Sequence, residues 1–96
     1  MASGAFPKYV SGWGTPEPFT MPFTPTRDGF CVCTLIPSTN SASYFYVKTD
    51  GNDYIRGSSA GGSSYNVSFP VKAGVEYYVS KSSNIATRVY TFIPFA

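Results

Sequence analysis

The chain has 96 residues, 43% apolar and 18% aromatic, with only 12% charged and a formal net charge of +2. That length makes one domain, and so many aromatics with so few charges exclude a disordered body. The basic residues Lys8, Arg27, Lys48, Arg56, Lys72, Lys81 and Arg88 are scattered singly, which excludes the clustered basic stripe that nucleic acid requires.

Residues 1–18 hold Gly4, Pro7, Gly12, Gly14, Pro16 and Pro18. That density of breakers forbids a helix and discourages a central strand. Phe6, Tyr9, Val10 and Trp13 lie among them, so the segment is no polar linker. It reads as an irregular aromatic arm, 1–18, lying either on its own domain's sheet edge or on a neighbouring subunit. Trp13 sits between Gly12 and Gly14, which allow close backbone approach, and tryptophan is a common interface anchor. Phe6, Tyr9, Trp13 and Phe19 are therefore the candidate attachment or oligomer-interface residues. The opening Met-Ala-Ser-Gly-Ala-Phe-Pro-Lys lacks a basic n-region and an apolar h-region, so no signal peptide is expected. No apolar run approaches membrane-spanning length.

From Phe19 the pattern changes to a period of two, with Phe19, Met21 and Phe23 alternating with Thr20, Pro22 and Thr24. Pro22 marks this as an edge strand or a strand start. Asp28-Gly29 signals a turn. The run Phe30 to Ile36 follows, the most strand-like in the chain, with Phe30, Val32 and Ile36 on one face and Cys31, Cys33 and Leu35 on the other. A strand apolar on both faces is expected at the centre of the fold. Residues 37–43 have loop composition, 44–49 read as a strand, and Asp50-Gly51 favours a tight hairpin returning through Tyr54-Ile-Arg56. Gly57 to Ser64 reads as a flexible loop. Strands are expected at 65–69, 75–81 and 85–93, with turns at Ala73-Gly74 and Ser82-Ser-Asn84. Seven or eight short strands at about ten-residue spacing predict a sandwich or small barrel. The expected fold is all-β, a small jelly-roll-like sandwich over 19–96 with the arm before it. An immunoglobulin-type sandwich is the alternative, but its cysteines on separate strands and central tryptophan are missing.

The residue types argue against catalysis. There is no histidine, the usual general base and metal ligand. Three of the five acids (Glu17, Asp28, Asp50, Asp53, Glu76) lie in or beside turns, where Asp stabilises the turn itself. Asp50-Gly-Asn-Asp53 lacks the further acids of a calcium loop. Cys31 and Cys33 on one strand are too few to close a zinc site and too close for an unstrained bridge, so they read as buried thiols of a protein made in a reducing cytoplasm. The expectation is no enzyme and no cofactor. The tyrosines at 44, 46, 54, 65, 77, 78 and 90 fall in strands, and adjacent Tyr77 and Tyr78 must point to opposite faces. Packing between sheets or subunits is the commoner fate of such rings, and an exposed sugar-binding platform the alternative.

Three stretches resemble a known module: Phe19-Thr-Met-Pro-Phe-Thr-Pro-Thr-Arg-Asp28-Gly29-Phe30, Phe69-Pro-Val-Lys-Ala-Gly74-Val-Glu-Tyr77-Tyr-Val79, and Tyr90-Thr-Phe-Ile-Pro94. They are similar to the small β-sandwich heads of tailed-bacteriophage head and tail fibres and to capsid decoration proteins, over about residues 19–95. The resemblance implies a virion structural subunit, assembling as a trimer, exposed on the particle surface and attached to capsid, tail or fibre proteins through its arm. The 18 residues before Phe19 do not have the length of a fibre shaft, so none is expected before the head, and the cysteines have no counterpart in the pattern. The other reading is a receptor- or host-glycan-binding module at a fibre tip, using loops 37–43 and 57–64. Asn40, Tyr44, Ser59 and Tyr65 are then the candidate ligand-binding residues.

Overall fold

The computed structural model describes residues 14–95. Seven strands follow in order: β1 (Glu17–Pro18), β2 (Gly29–Pro37), β3 (Ser43–Thr49), β4 (Asn52–Ser59), β5 (Tyr65–Val71), β6 (Tyr78–Lys81) and β7 (Ile85–Pro94). They form a four-stranded sheet, β1-β7-β2-β5, packed on a three-stranded sheet, β4-β3-β6, with every pairing antiparallel. A single bridge at Phe23 adds a further partner to the β6 edge, opposite Tyr77. Counting Phe23 as a strand of one residue, the two sheets have the order of an eight-stranded jelly roll, with its second strand reduced to that bridge. The expected all-β jelly-roll-like sandwich is what the chain forms.

β2 is central, as its apolar run requires, between β7 and β5. Its inward face is fully buried: Cys31, Cys33 and Leu35 are 0% exposed, against Phe45 and Val47 of β3 and Val67 and Phe69 of β5. Burial on both sides does not hold. Phe30 and Val32 are half-buried and Ile36 is 43% exposed. A two-layer sandwich covers only one face of each sheet, so apolar side chains on the outer face stay at the surface.

Three further expectations change. The alternation from Phe19 to Thr24 makes no strand; it crosses from one sheet to the other, with the Phe19 N–H bonded to the Tyr90 carbonyl of β7 and Phe23 bonded both ways to Tyr77. Pairing also begins before Phe19. The Gly14 N–H bonds to the Pro94 carbonyl, and Glu17–Pro18 pair with β7, so residues 14–18 belong with the sandwich rather than with an arm. Gly57-Ser58-Ser59 is strand and not flexible loop. A side chain at Gly57 would bring a Cβ within 2.3 Å of Val67 Cγ2 from the other sheet. This glycine serves the close approach of the sheets. At the β3–β4 hairpin, Asp50 (φ 52°) and Gly51 (φ 78°) both take positive φ, the two-residue turn expected from Asp-Gly.

The turn motifs converge in space. Pro25 O accepts from Gly74 N–H at 2.9 Å, Asp28 Oδ1 from Ala73 N–H at 2.8 Å, and Asp28 O from Phe95 N–H at 3.0 Å. Tyr77 Oη accepts from Lys72 N–H at 3.0 Å. The start of β2, the β5–β6 turn and the chain's last strand are thus pinned together at one end of the sandwich.

Candidate functional site

Of the four candidate attachment residues, Phe6, Tyr9 and Trp13 lie outside the described residues. Phe19 is half-buried in its own domain, stacked on Phe23 at 4.4 Å and on Tyr90 at 5.3 Å between ring centroids. Its ring closes the open side of the sandwich between the two sheets.

The candidate ligand residues fall into two places. Asn40, Ser59 and Tyr65 gather at one end. Ser59 pairs with Ser43, whose hydroxyl donates to Tyr65 Oη at 3.1 Å, and Gly62 packs against the backbone of Thr39 and Asn40. Asn84, which the sequence does not single out, organises this end. Its Nδ2 donates to Thr39 Oγ1, Ser41 O and Ala42 O, and its backbone carbonyl accepts from Ser38 N–H at 2.7 Å. Tyr44 points to the opposite face, because alternate residues of β3 do. There it meets Tyr46 at 4.9 Å, and the Arg56 guanidinium lies 5.0 Å from the Tyr46 centroid. Asp53 holds Lys48 at 2.6 Å and Arg56 at 2.7 Å. The hydrogen bonds from Lys48 and then Arg56 keep its carboxyl below the usual range. The outer face of the smaller sheet is therefore polar, charged and aromatic.

The outer face of the larger sheet has the opposite character. Register places Val32, Thr34 and Ile36 of β2 beside Thr91, Val89 and Thr87 of β7, and beside Ser68 and Asn66 of β5. Ile93 and Pro18 extend the face. Among the described residues no charged side chain lies at these positions, and Val89 is 53% exposed.

A third feature was not legible from single residues. A cleft of about 630 Å³ opens where residues 18–22 cross between the sheets. Phe19, Met21 and Pro22 form one side, Tyr78, Val79 and Lys81 of β6 a second, and Arg88, Val89 and Tyr90 of β7 a third. Lys81 and Arg88 are its two cations, and no carboxylate lines it. Burial raises the Tyr90 phenol above its ordinary value, and Arg88 beside it works the other way. The sequence signal available was Pro22 inside an alternating run, which marks an edge strand or a strand start.

The chemistry of the buried groups is quiet. Both cysteines are free and buried. Burial pushes each thiol up to about 12, with the neighbouring Cys31 adding to the rise at Cys33. Such thiols are poor nucleophiles and poor metal ligands at neutral pH. Among the described residues no group of three or more His, Cys, Asp or Glu could hold a metal ion. No helix there is long and apolar enough to cross a membrane. In comparison with known proteins, no family model, no curated protein and no solved structure matches this chain.

Proposed function

We propose that this chain is a non-catalytic structural subunit of a bacteriophage virion, a capsid decoration protein or the head of a head or tail fibre. In this reading it assembles as a homotrimer on the particle surface and is attached to other virion proteins through its N-terminal segment. The observation that carries the reading is the uncharged, β-branched outer face of the β1-β7-β2-β5 sheet. An exposed face of that composition fits burial against another subunit. A chain of 96 residues buries only about 60–65% of its unfolded surface alone, so it also gains from such burial. The resemblance of the turn motifs to those of phage modules supports the choice of particle. Their convergence around Asp28 gives them a structural purpose, the pinning of three chain segments.

Light scattering after size exclusion tests the reading. The full chain is expected to run as a trimer, and Val89→Lys with Ile36→Lys is expected to yield folded monomers. A wild-type monomer at high micromolar concentration would remove the oligomeric virion reading.

A second reading, recognition of a host-surface glycan, has its own observation in the adjacent Tyr44 and Tyr46 rings beside Arg56. Aromatic faces stack on sugars through the same surface that packs on apolar groups. A glycan array should then return hits that Tyr44→Ala abolishes. An array without hits leaves the structural reading alone.

A further inference from the structure

The second strand of the jelly roll is where this fold is incomplete. Antiparallel continuation of the Phe23–Tyr77 bridge would set Met21 opposite Val79 and Phe19 opposite Lys81. That pairing stops, because the Phe19 N–H is committed to Tyr90 on the other sheet. The open edge of β6 is left beyond Tyr77. Its orientation follows from the β3–β6 ladder. The Ser82 N–H bonds to Tyr44 O at 3.0 Å, so Tyr44 with Ser82, Tyr46 with Ser80 and Lys48 with Tyr78 are the bonded pairs. Val79 and Lys81, between them, turn their N–H and C=O groups away from β3. Among the described residues no backbone group outside the sheet bonds to either. Both line the cleft.

We propose that this cleft receives an extended, acidic segment of a partner protein, which pairs with Val79 and Lys81 as the missing part of the second strand. Addition of a strand to an exposed edge takes affinity from main-chain hydrogen bonds and specificity from alternate side chains. Inward side chains of the added strand would rest on Phe19, Met21 and Tyr90. A carboxylate would meet Lys81 and Arg88, whose charges no acidic residue of the lining offsets. The volume lies inside the range of about 300–1,000 Å³ usual for ligand clefts. Charge also decides among occupants. Residues 1–13 of this chain contain Lys8 and no carboxylate, so they complement the site poorly. A second copy of the β6 edge would set cation against cation. The inference does not depend on the virion reading: Pro18 and Val89 border both the cleft and the outer sheet face, but the pairing with Val79 and Lys81 makes no use of oligomeric state.

The test is a nuclear magnetic resonance titration of the full chain. The probe is the capped heptapeptide Thr-Val-Thr-Glu-Thr-Glu-Thr, whose valine and carboxylates share one face as Lys81 and Arg88 do, with Lys in place of both Glu as the control. The acidic peptide is expected to shift the Val79 and Lys81 amides and to slow their hydrogen exchange. The Ser80 amide, already bonded to β3, should change little. Lys81→Glu with Arg88→Glu should weaken the acidic peptide at least about tenfold and create binding of the lysine peptide, a gain that an unfolded variant cannot show. No shift at Val79 and Lys81 at millimolar peptide would overturn the proposal. So would equal binding of the two peptides, or binding untouched by the charge reversal. Slow exchange of both amides in the free full chain would also overturn it, because the edge would then already be covered by the chain itself or a second copy.

Discussion

Cys31 and Cys33 show how the energetics of single side chains follow from their neighbours. They stand 0% exposed on the inward face of the central strand, where a small apolar thiol packs well and a thiolate does not. The folded-state value of about 12 lies above the ordinary 9.0. The stabilisation from keeping both thiols protonated is therefore complete below pH 9 and is lost as pH rises from about 9 towards 12. Urea unfolding at stepped pH should show stability falling across that window, and less steeply in a Cys31→Ala, Cys33→Ala protein. At neutral pH, thiol reagents should modify the two cysteines only at the rate of unfolding. Gly57 makes the complementary case of a residue chosen for absent volume. With Val67 Cγ2 2.3 Å from any added Cβ, Gly57→Ala should cost about 1–3 kcal/mol in chemical denaturation. Val67→Ala in the same background should recover part of that loss, because the two sites share one volume.

Strands and turns take their stability from partners distant in sequence. The run from Thr24 to Gly29 holds its place because Pro25 and Asp28 accept bonds from Gly74, Ala73 and Phe95. Asp28→Ala should destabilise the protein by about 0.5–1.5 kcal/mol, the net scale of an exposed hydrogen bond. Asp28→Asn keeps an acceptor oxygen and should lose less. Hydrogen exchange should show the effect of Asp28→Ala at Ala73, Gly74 and Phe95 first. The β3–β4 hairpin responds to a different force. Gly51 at φ 78° has open space where a Cβ would go, so Gly51→Val costs through backbone conformation alone, on the order of 1 kcal/mol. A thermal melt reads that difference.

At the scale of the molecule, the two outer faces differ in kind. One bears the Lys48–Asp53–Arg56 ion pairs and a pair of tyrosines; the other bears Val, Ile and Thr without a charge. The first is already solvated and the second gains by being covered. If trimers form through the uncharged face, unfolding is linked to dissociation, and Tm should rise with protein concentration. In the Val89→Lys, Ile36→Lys protein Tm should become independent of concentration. The acidic peptide should raise Tm in both proteins, and more in the variant, since Val89 borders the cleft as well as the uncharged face and a lysine there adds a cation to the lining.

Some of this architecture follows from the amino-acid order alone. Period-two alternation places Cys31, Cys33 and Leu35 on one side of a strand wherever that strand lies, because side chains alternate along any extended chain. Asp50-Gly51 makes a hairpin because these residues tolerate positive φ. The missing histidine and the scattered charges narrow the chemistry in the same local way. Other features arise only when distant segments meet. Phe19 to Thr24 has a strand's pattern, yet its Phe19 end bonds to β7 and its Phe23 end to β6, so alternation there served a crossing. Gly57 reads as flexibility until Val67 arrives from the other sheet. Lys81 and Arg88 look isolated in the sequence and share one cleft in the fold. Local pattern determined the strands and turns, which depend on each residue's own backbone and near neighbours. Tertiary structure decided which faces are covered, where the ladder stops and what lines the cleft, because those depend on pairings between residues far apart in the chain.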